Sequence, residues 1–233
     1  SNSITFTGDA TIETAADVTF SGSVLGGDYR LTKAGAGTVT LSGSNTHTGA
    51  VTVSAGTLAV SGGSSIGDDS AVTVNSGATL SLTLGSETIG SLSGSGAVAL
   101  SYGLTVGNAS NSIFSGVISS SNTSGITKVG SGILALSGAN TYTGATTVSA
   151  GKLLLQGGSA IADSGEVTIN AGAELELRDD DEAVGSVKGA GTLTLNGGTL
   201  TVGGNNNSTT FSGVIQDSGG LTKIGTGTLT LSG

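Results

Sequence analysis

The 233-residue chain contains no cysteine, proline, methionine or tryptophan, and its aromatic residues are three tyrosines and four phenylalanines. Without cysteine there is neither a disulfide framework nor a thiolate metal site. Seven Lys and Arg face sixteen Asp and Glu, for a net charge of −9. No basic patch exists to release counterions from a phosphate backbone, which argues against nucleic acid as a partner. No apolar run approaches the length a bilayer-spanning helix needs, about 20 residues, and no signal peptide opens the chain. There is one histidine, His47.

What the chain has in excess is glycine, 43 residues, together with abundant serine and threonine. Such a composition by itself suggests disorder. Against that stand an apolar fraction of 36% and a regular alternation of apolar and polar residues, which a linker has no reason to keep. The alternation is organised by a repeat. Residues 31–60, LTKAGAGTVTLSGSNTHTGAVTVSAGTLAV, return at 126–155 as ITKVGSGILALSGANTYTGATTVSAGKLLL, and a third copy begins at 221 as LTKIGTGTLTLSG, each starting 95 residues after the last. The chain therefore divides into a partial repeat at 1–30, superrepeats at 31–125 and 126–220, and the start of a third copy at 221–233, all within one domain over 1–233. A start in mid-pattern and an end inside a repeat read as the limits of an excised piece, with Ser1-Asn2 as an added scar.

A shorter period lies inside the long one. Gly37, Gly56, Gly77 and Gly96 each open an alternating apolar pair, at spacings of 19, 21 and 19 residues. The second block repeats the pairs as Leu134/Leu136, Leu153/Leu155, Leu175/Leu177 and Leu193/Leu195. Strict alternation over so few residues makes strands with one buried face. Like follows like at a fixed distance, so the strands stack in parallel, coil on coil, rather than fold back as hairpins. The expected fold is all-β: a right-handed parallel β-helix of about 20 residues per coil. Roughly eleven coils at about 4.8 Å each give a rod on the order of 50–55 Å long. Glycine supplies the corner turns, and Asn45, Asn140, Asn75 and Asn170 occupy matching turn positions that tolerate left-handed backbone.

Few residues offer chemistry. His47 stands in a turn where the other copy has Tyr142, which marks a surface or packing residue rather than the base of a triad. The acidic run Asp179-Asp180-Asp181-Glu182 reads as a solvated loop; its other reading is a weak calcium site. A calcium-binding nonapeptide repeat is absent, and adjacent acids do not set the fixed separation that glycan hydrolysis needs. Outward positions beside the inward leucines, among them Thr38/Thr40, Lys152/Leu154 and Glu174/Glu176, are too irregular for an ice-binding threonine face. Lys152 and Glu174 fall opposite one another on neighbouring coils, as an exposed ion pair. Phe114 and Phe211 recur in FSG elements as core fillers. No catalytic, cofactor-binding or metal-binding residue is assigned.

The repeated stretch, LTKxGxGTLTLSGxNTYTGxTTVxAGxL, resembles the autotransporter-associated β-strand repeat, or passenger-associated transport repeat. It is carried in full at 31–58 and 126–153 and truncated at 221–233, with FSGVI lead-ins at 114–118 and 211–215. His47 replaces the family's preferred tyrosine, and Ala50 and Ala145 stand where glycine is common. The resemblance implies a passenger of a type V secretion system, anchored to a Gram-negative cell surface through a C-terminal outer-membrane β-barrel. It implies a non-catalytic stalk of an adhesin, whose repeats support export and folding outside the cell. The alternative it leaves open is a rigid spacer for an autotransporter protease or esterase whose catalytic domain lies elsewhere. A host or bacterial surface protein or glycan would be the ligand, met by the long faces and by variable loops at 101–125 and 196–220. Self-association through open strand edges is a further expectation.

Overall fold

A computed structural model describes residues 3–233; the Ser1-Asn2 start lies outside the described residues. The described chain is all-β with no helix, and every strand pair is parallel. One coil shows the plan. Ala71–Val74 runs along the first face, Thr79–Leu84 along the second and Glu87–Ile89 along the third; Ser91–Gly94 then returns to the first face, one coil up, in register with Ala71–Val74. The first face is a continuous sheet of eleven strands, which gives a solenoid of about eleven turns. The parallel β-helix expected from the spacing is the fold.

Alternation explains the interior. Leu134, Leu153, Leu175 and Leu193 sit in one register column of the first face and are all buried. Each such leucine contributes about 1.5–3 kcal/mol by burial, and each touches mainly the coils above and below it. Phe114 and Phe211 fill the core as expected.

The superrepeat is not a whole number of coils. Leu31–Ala34 lies on the first face, its counterpart Ile126–Lys128 on the third and Gly220–Lys223 on the second. Coil length is set near 20 residues, so a 95-residue step ends one face short of a full fifth turn. Three successive copies thus display the motif on three different faces. An outward feature of the motif winds around the rod instead of forming one stripe.

Turn chemistry departs from expectation at the asparagines. Asn45 and Asn140 are buried and are not left-handed, while Asn75 and Asn170 are exposed and leave the positive φ to Gly77 (79°) and Gly172 (80°). Residues 101–125 and 196–220 are not free loops either. They hold full strands such as Leu104–Val106, Val117–Ser120, Thr199–Val202 and Val214–Gln216, so variation is confined to the corners between them.

One glycine column is required by proximity alone. A Cβ on Gly116 would stand 1.8 Å from the Gly96 carbonyl oxygen, and one on Gly138 1.8 Å from that of Gly116. The clash is with backbone, which cannot swing away. Gly116→Ala is expected to cost at least about 2 kcal/mol through overpacking, seen as a lower denaturation midpoint. Gly77→Ala, with open space around its Cβ, gives up only its φ preference of about 1 kcal/mol.

Candidate functional site

At each of the two full motif copies, one face loses its strands for two coils. On the third face no strand forms over 42–50 or 62–70, and on the second face none forms over 137–145 or 156–165. Buried backbone groups still need partners there, and side chains supply them. Asn45 Oδ1 accepts from the Val24 amide at 2.6 Å while its Nδ2 donates to the Ser65 carbonyl at 2.5 Å, joining the coil below to the coil above. The Glu87 carboxylate then accepts from the Ser65 amide at 3.3 Å and the Ile66 amide at 2.9 Å. The second copy repeats the device. Asn140 accepts from Ile118 at 2.7 Å and donates to Ala160 at 2.7 Å, and Glu182 accepts from Ala160 at 3.0 Å and Ile161 at 3.1 Å.

These acids are nearly shut from solvent, Glu87 1% and Glu182 3% exposed. Burial pushes both carboxyls up, against the pull of the amides they accept from; Glu182 reaches about 7. The acidic run is thus not a solvated loop throughout. Asp179, Asp180 and Asp181 are exposed, and two of them cap neighbouring coils: Asp180 accepts from the Gly157 amide and Asp181 from the Thr199 amide. Among the described residues no group of three or more acids or histidines converges on a metal-sized space.

The motif lysines are the second element that sequence reading missed. Lys33 is fully buried, and its ammonium donates to the carbonyls of Ala34 (2.8 Å), Gly35 (2.8 Å) and Ala55 (3.0 Å). Lys128 does the same with Val129 (2.5 Å), Gly130 (2.9 Å) and Ala150 (3.2 Å). Two carbonyls come from the lysine's own corner and the third from the next coil, 22 residues on. Burial holds both ammonium groups below the usual lysine range. The signal was present in the alternation, because Leu31-Thr32-Lys33 places Lys33 on the inward side.

His47 and Tyr142 are packing residues, both fully buried. The Tyr142 hydroxyl shares a 2.7 Å hydrogen bond with Thr146, and burial raises its pKa. His47 has Val51 where Tyr142 has Thr146, and neither ring nitrogen meets a protein partner. Shut from solvent, its imidazole makes no hydrogen bond to a hydroxyl.

Outside, Lys152 pairs with Glu174 at 3.1 Å as the spacing implied, and also with Glu176. The side chains are about a quarter exposed on Lys152 and Glu174 and less on Glu176, so the network is worth no more than about 1 kcal/mol. The outward columns are more regular on the third face than on the second. Thr88, Thr105, Thr127, Thr147 and Thr168 stack in register before Lys188 breaks the run. Four of these five belong to three-residue strands with one outward residue each, so the column has no parallel partner row.

The passenger-associated-transport-repeat family matches this chain at residues 31–60, 126–155 and 221–233, the three copies that carry the lysine and, in the two full ones, the asparagine latch. The chain is 40% identical over 249 residues to a protein named adhesin BmaC autotransporter from Brucella suis biovar 1 (strain 1330). That likeness covers 97% of this chain and 7% of the length of that relative. No solved structure matches. Three spaced matches to the repeat, on a parallel solenoid built to its period, show that the chain is built on passenger-associated transport repeats.

Proposed function

We propose that this segment is a non-catalytic stalk of a surface-exposed adhesin, anchored through an outer-membrane β-barrel elsewhere in the protein, and that its motif units support export by folding outside the cell. The observation that carries this reading is where the repeated polar residues point. Lys33/Lys128, Asn45/Asn140 and Glu87/Glu182 are all turned inward and spent on neighbouring coils. Outward positions change in chemistry between copies, Thr38 to Ile133 and Thr57 to Lys152, whereas Ala59 and Leu154 beside them are buried. What the motif keeps is stacking, and what it varies is the surface available to a protein or glycan ligand.

A coil completed by its neighbour resists sliding back through a pore, and nearest-neighbour stacking grows one coil at a time. A chain without cysteine cannot be locked by disulfides before it is threaded. The adhesin relative supports this reading over a spacer for an enzyme. Scrambling 126–155 in the full-length protein tests it: surface display, read by antibody labelling of intact cells, should fall about tenfold or more. Undiminished display would remove the export role.

A further inference from the structure

The two full motif units are near copies in sequence, and among the buried positions at which they differ is one matched trio. Tyr142, Thr146 and Gly165 in the second unit correspond to His47, Val51 and Ser70 in the first. In the second unit the trio is satisfied, since the Tyr142 hydroxyl and Thr146 bond each other. In the first, both His47 ring nitrogens and the Ser70 hydroxyl are buried without a protein partner. This happens where the third face has no strand over 42–50 or 62–70, so the coil there rests on Asn45, Glu87 and a few loop bonds rather than on a ladder.

We propose that the first motif unit is an acid-sensitive joint of the rod: protonation of His47 opens the coil over residues 44–70, while the matched coil over 139–165 stays closed.

The neighbours offer the imidazolium nothing. Below it, Thr46 and Thr48 bond Val24 and Gly27, and the charged residue beyond them, Asp28, is exposed, as is Tyr29. Above it, Asn45 bonds Ser64, and Asp68 and Asp69 on that segment face solvent. One coil further, Glu87 is committed to the Ser65 and Ile66 amides. Lys33, on the adjoining first face, is committed to three carbonyls at its own corner. A second N–H and a positive charge thus arrive in a closed space without an acceptor, a cost relieved only by opening to water. Burial accordingly holds the His47 pKa below its ordinary value. Since the unfolded chain binds the proton at about 6.5 and the folded one lower, stability of this coil is lost as pH falls below about 6.5.

The single histidine makes the test direct. Its imidazole signals, followed by NMR through a pH titration of the folded chain, should move below the ordinary histidine range. Hydrogen exchange, corrected for intrinsic rates, should show protection over 44–70 falling about tenfold or more from pH 7 to pH 5, because one bound proton changes the opening equilibrium up to about tenfold per pH step. Protection over 139–165 should hold or rise. The double variant His47→Tyr with Val51→Thr should abolish the acid loss, as should His47→Gln, which cannot be protonated and does not depend on rebuilding the tyrosine contact. Equal acid loss in both coils, an acid loss that persists in His47→Gln, or a histidine that titrates at or above its ordinary value would overturn the proposal.

Discussion

Replacing Lys128 with methionine is expected to cost the rod about 3 kcal/mol or more, although the two side chains are similar in length. The loss follows from three carbonyls. Val129, Gly130 and Ala150 direct their oxygens at the ammonium, and a thioether removes all three of these part-buried bonds. Each bond to a charged group contributes about 1.5–3 kcal/mol net, and the relief from no longer burying an ammonium offsets part of the sum. The Ala150 carbonyl belongs to the next coil, so the substitution also loosens a joint. Lys223 shows the incomplete form: it bonds only the Ile224 and Gly225 carbonyls of its own corner and is exposed. Denaturant unfolding of Lys128→Met against Lys152→Met separates the effects. The surface lysine, part of a half-open ion-pair network, should cost no more than about 1 kcal/mol. Equal costs for the two would mean that the carbonyl cage contributes nothing.

The second large effect is a loss of stability on the alkaline side at the coil closed by Glu182. Burial raises its carboxyl from 4.5 to about 7. Between those values the folded coil holds a proton that the unfolded chain has released, so folding is favoured by acid. The contribution is complete below about pH 4.5 and is lost as pH rises through about 7. The difference between the two values corresponds to about 3 kcal/mol. Protection of the amides over 158–165 should therefore be stronger at pH 5 than at pH 8, after correction for intrinsic exchange. Glu182→Gln should remove the pH dependence while lowering protection at every pH, because the side-chain amide turns an N–H toward one of the two backbone donors, Ala160 or Ile161, that the carboxylate accepts from. A wild-type profile flat from pH 5 to pH 8 would show that the two accepted amides hold the carboxylate ionised after all. Glu87 acts in the same sense on the first unit, where His47 opposes it from the acid side.

Much of the molecule could be read along the chain because the information is local. Gly37, Gly56, Gly77 and Gly96, with the alternating residues after each, determine strands of about four residues at a spacing near 20, and parallel stacking follows from that spacing. The inward leucines and Phe114 and Phe211 were legible for the same reason: a strand has a period of two, so one apolar residue assigns the side of its neighbours. The same rule placed Lys33 inward, but a lone lysine among threonines looks like a surface residue until its carbonyl cage exists. Asn45 and Glu87 were opaque in another way. Each acts on residues about 20 positions away, through backbone groups exposed only where a face has lost its strand, and nothing in the spacing announces that gap.

By itself, then, the sequence determined the coil, its period, its buried row and the repeat on which it is built. Tertiary structure decided how the coils are held where the ladder lapses, and where each motif faces. The motif recurs every 95 residues, while a coil closes in about 20, and the two lengths are incommensurate. Only stacking turns that mismatch into a rotation, which puts His47 at a gap on the third face and Tyr142 at a gap on the second.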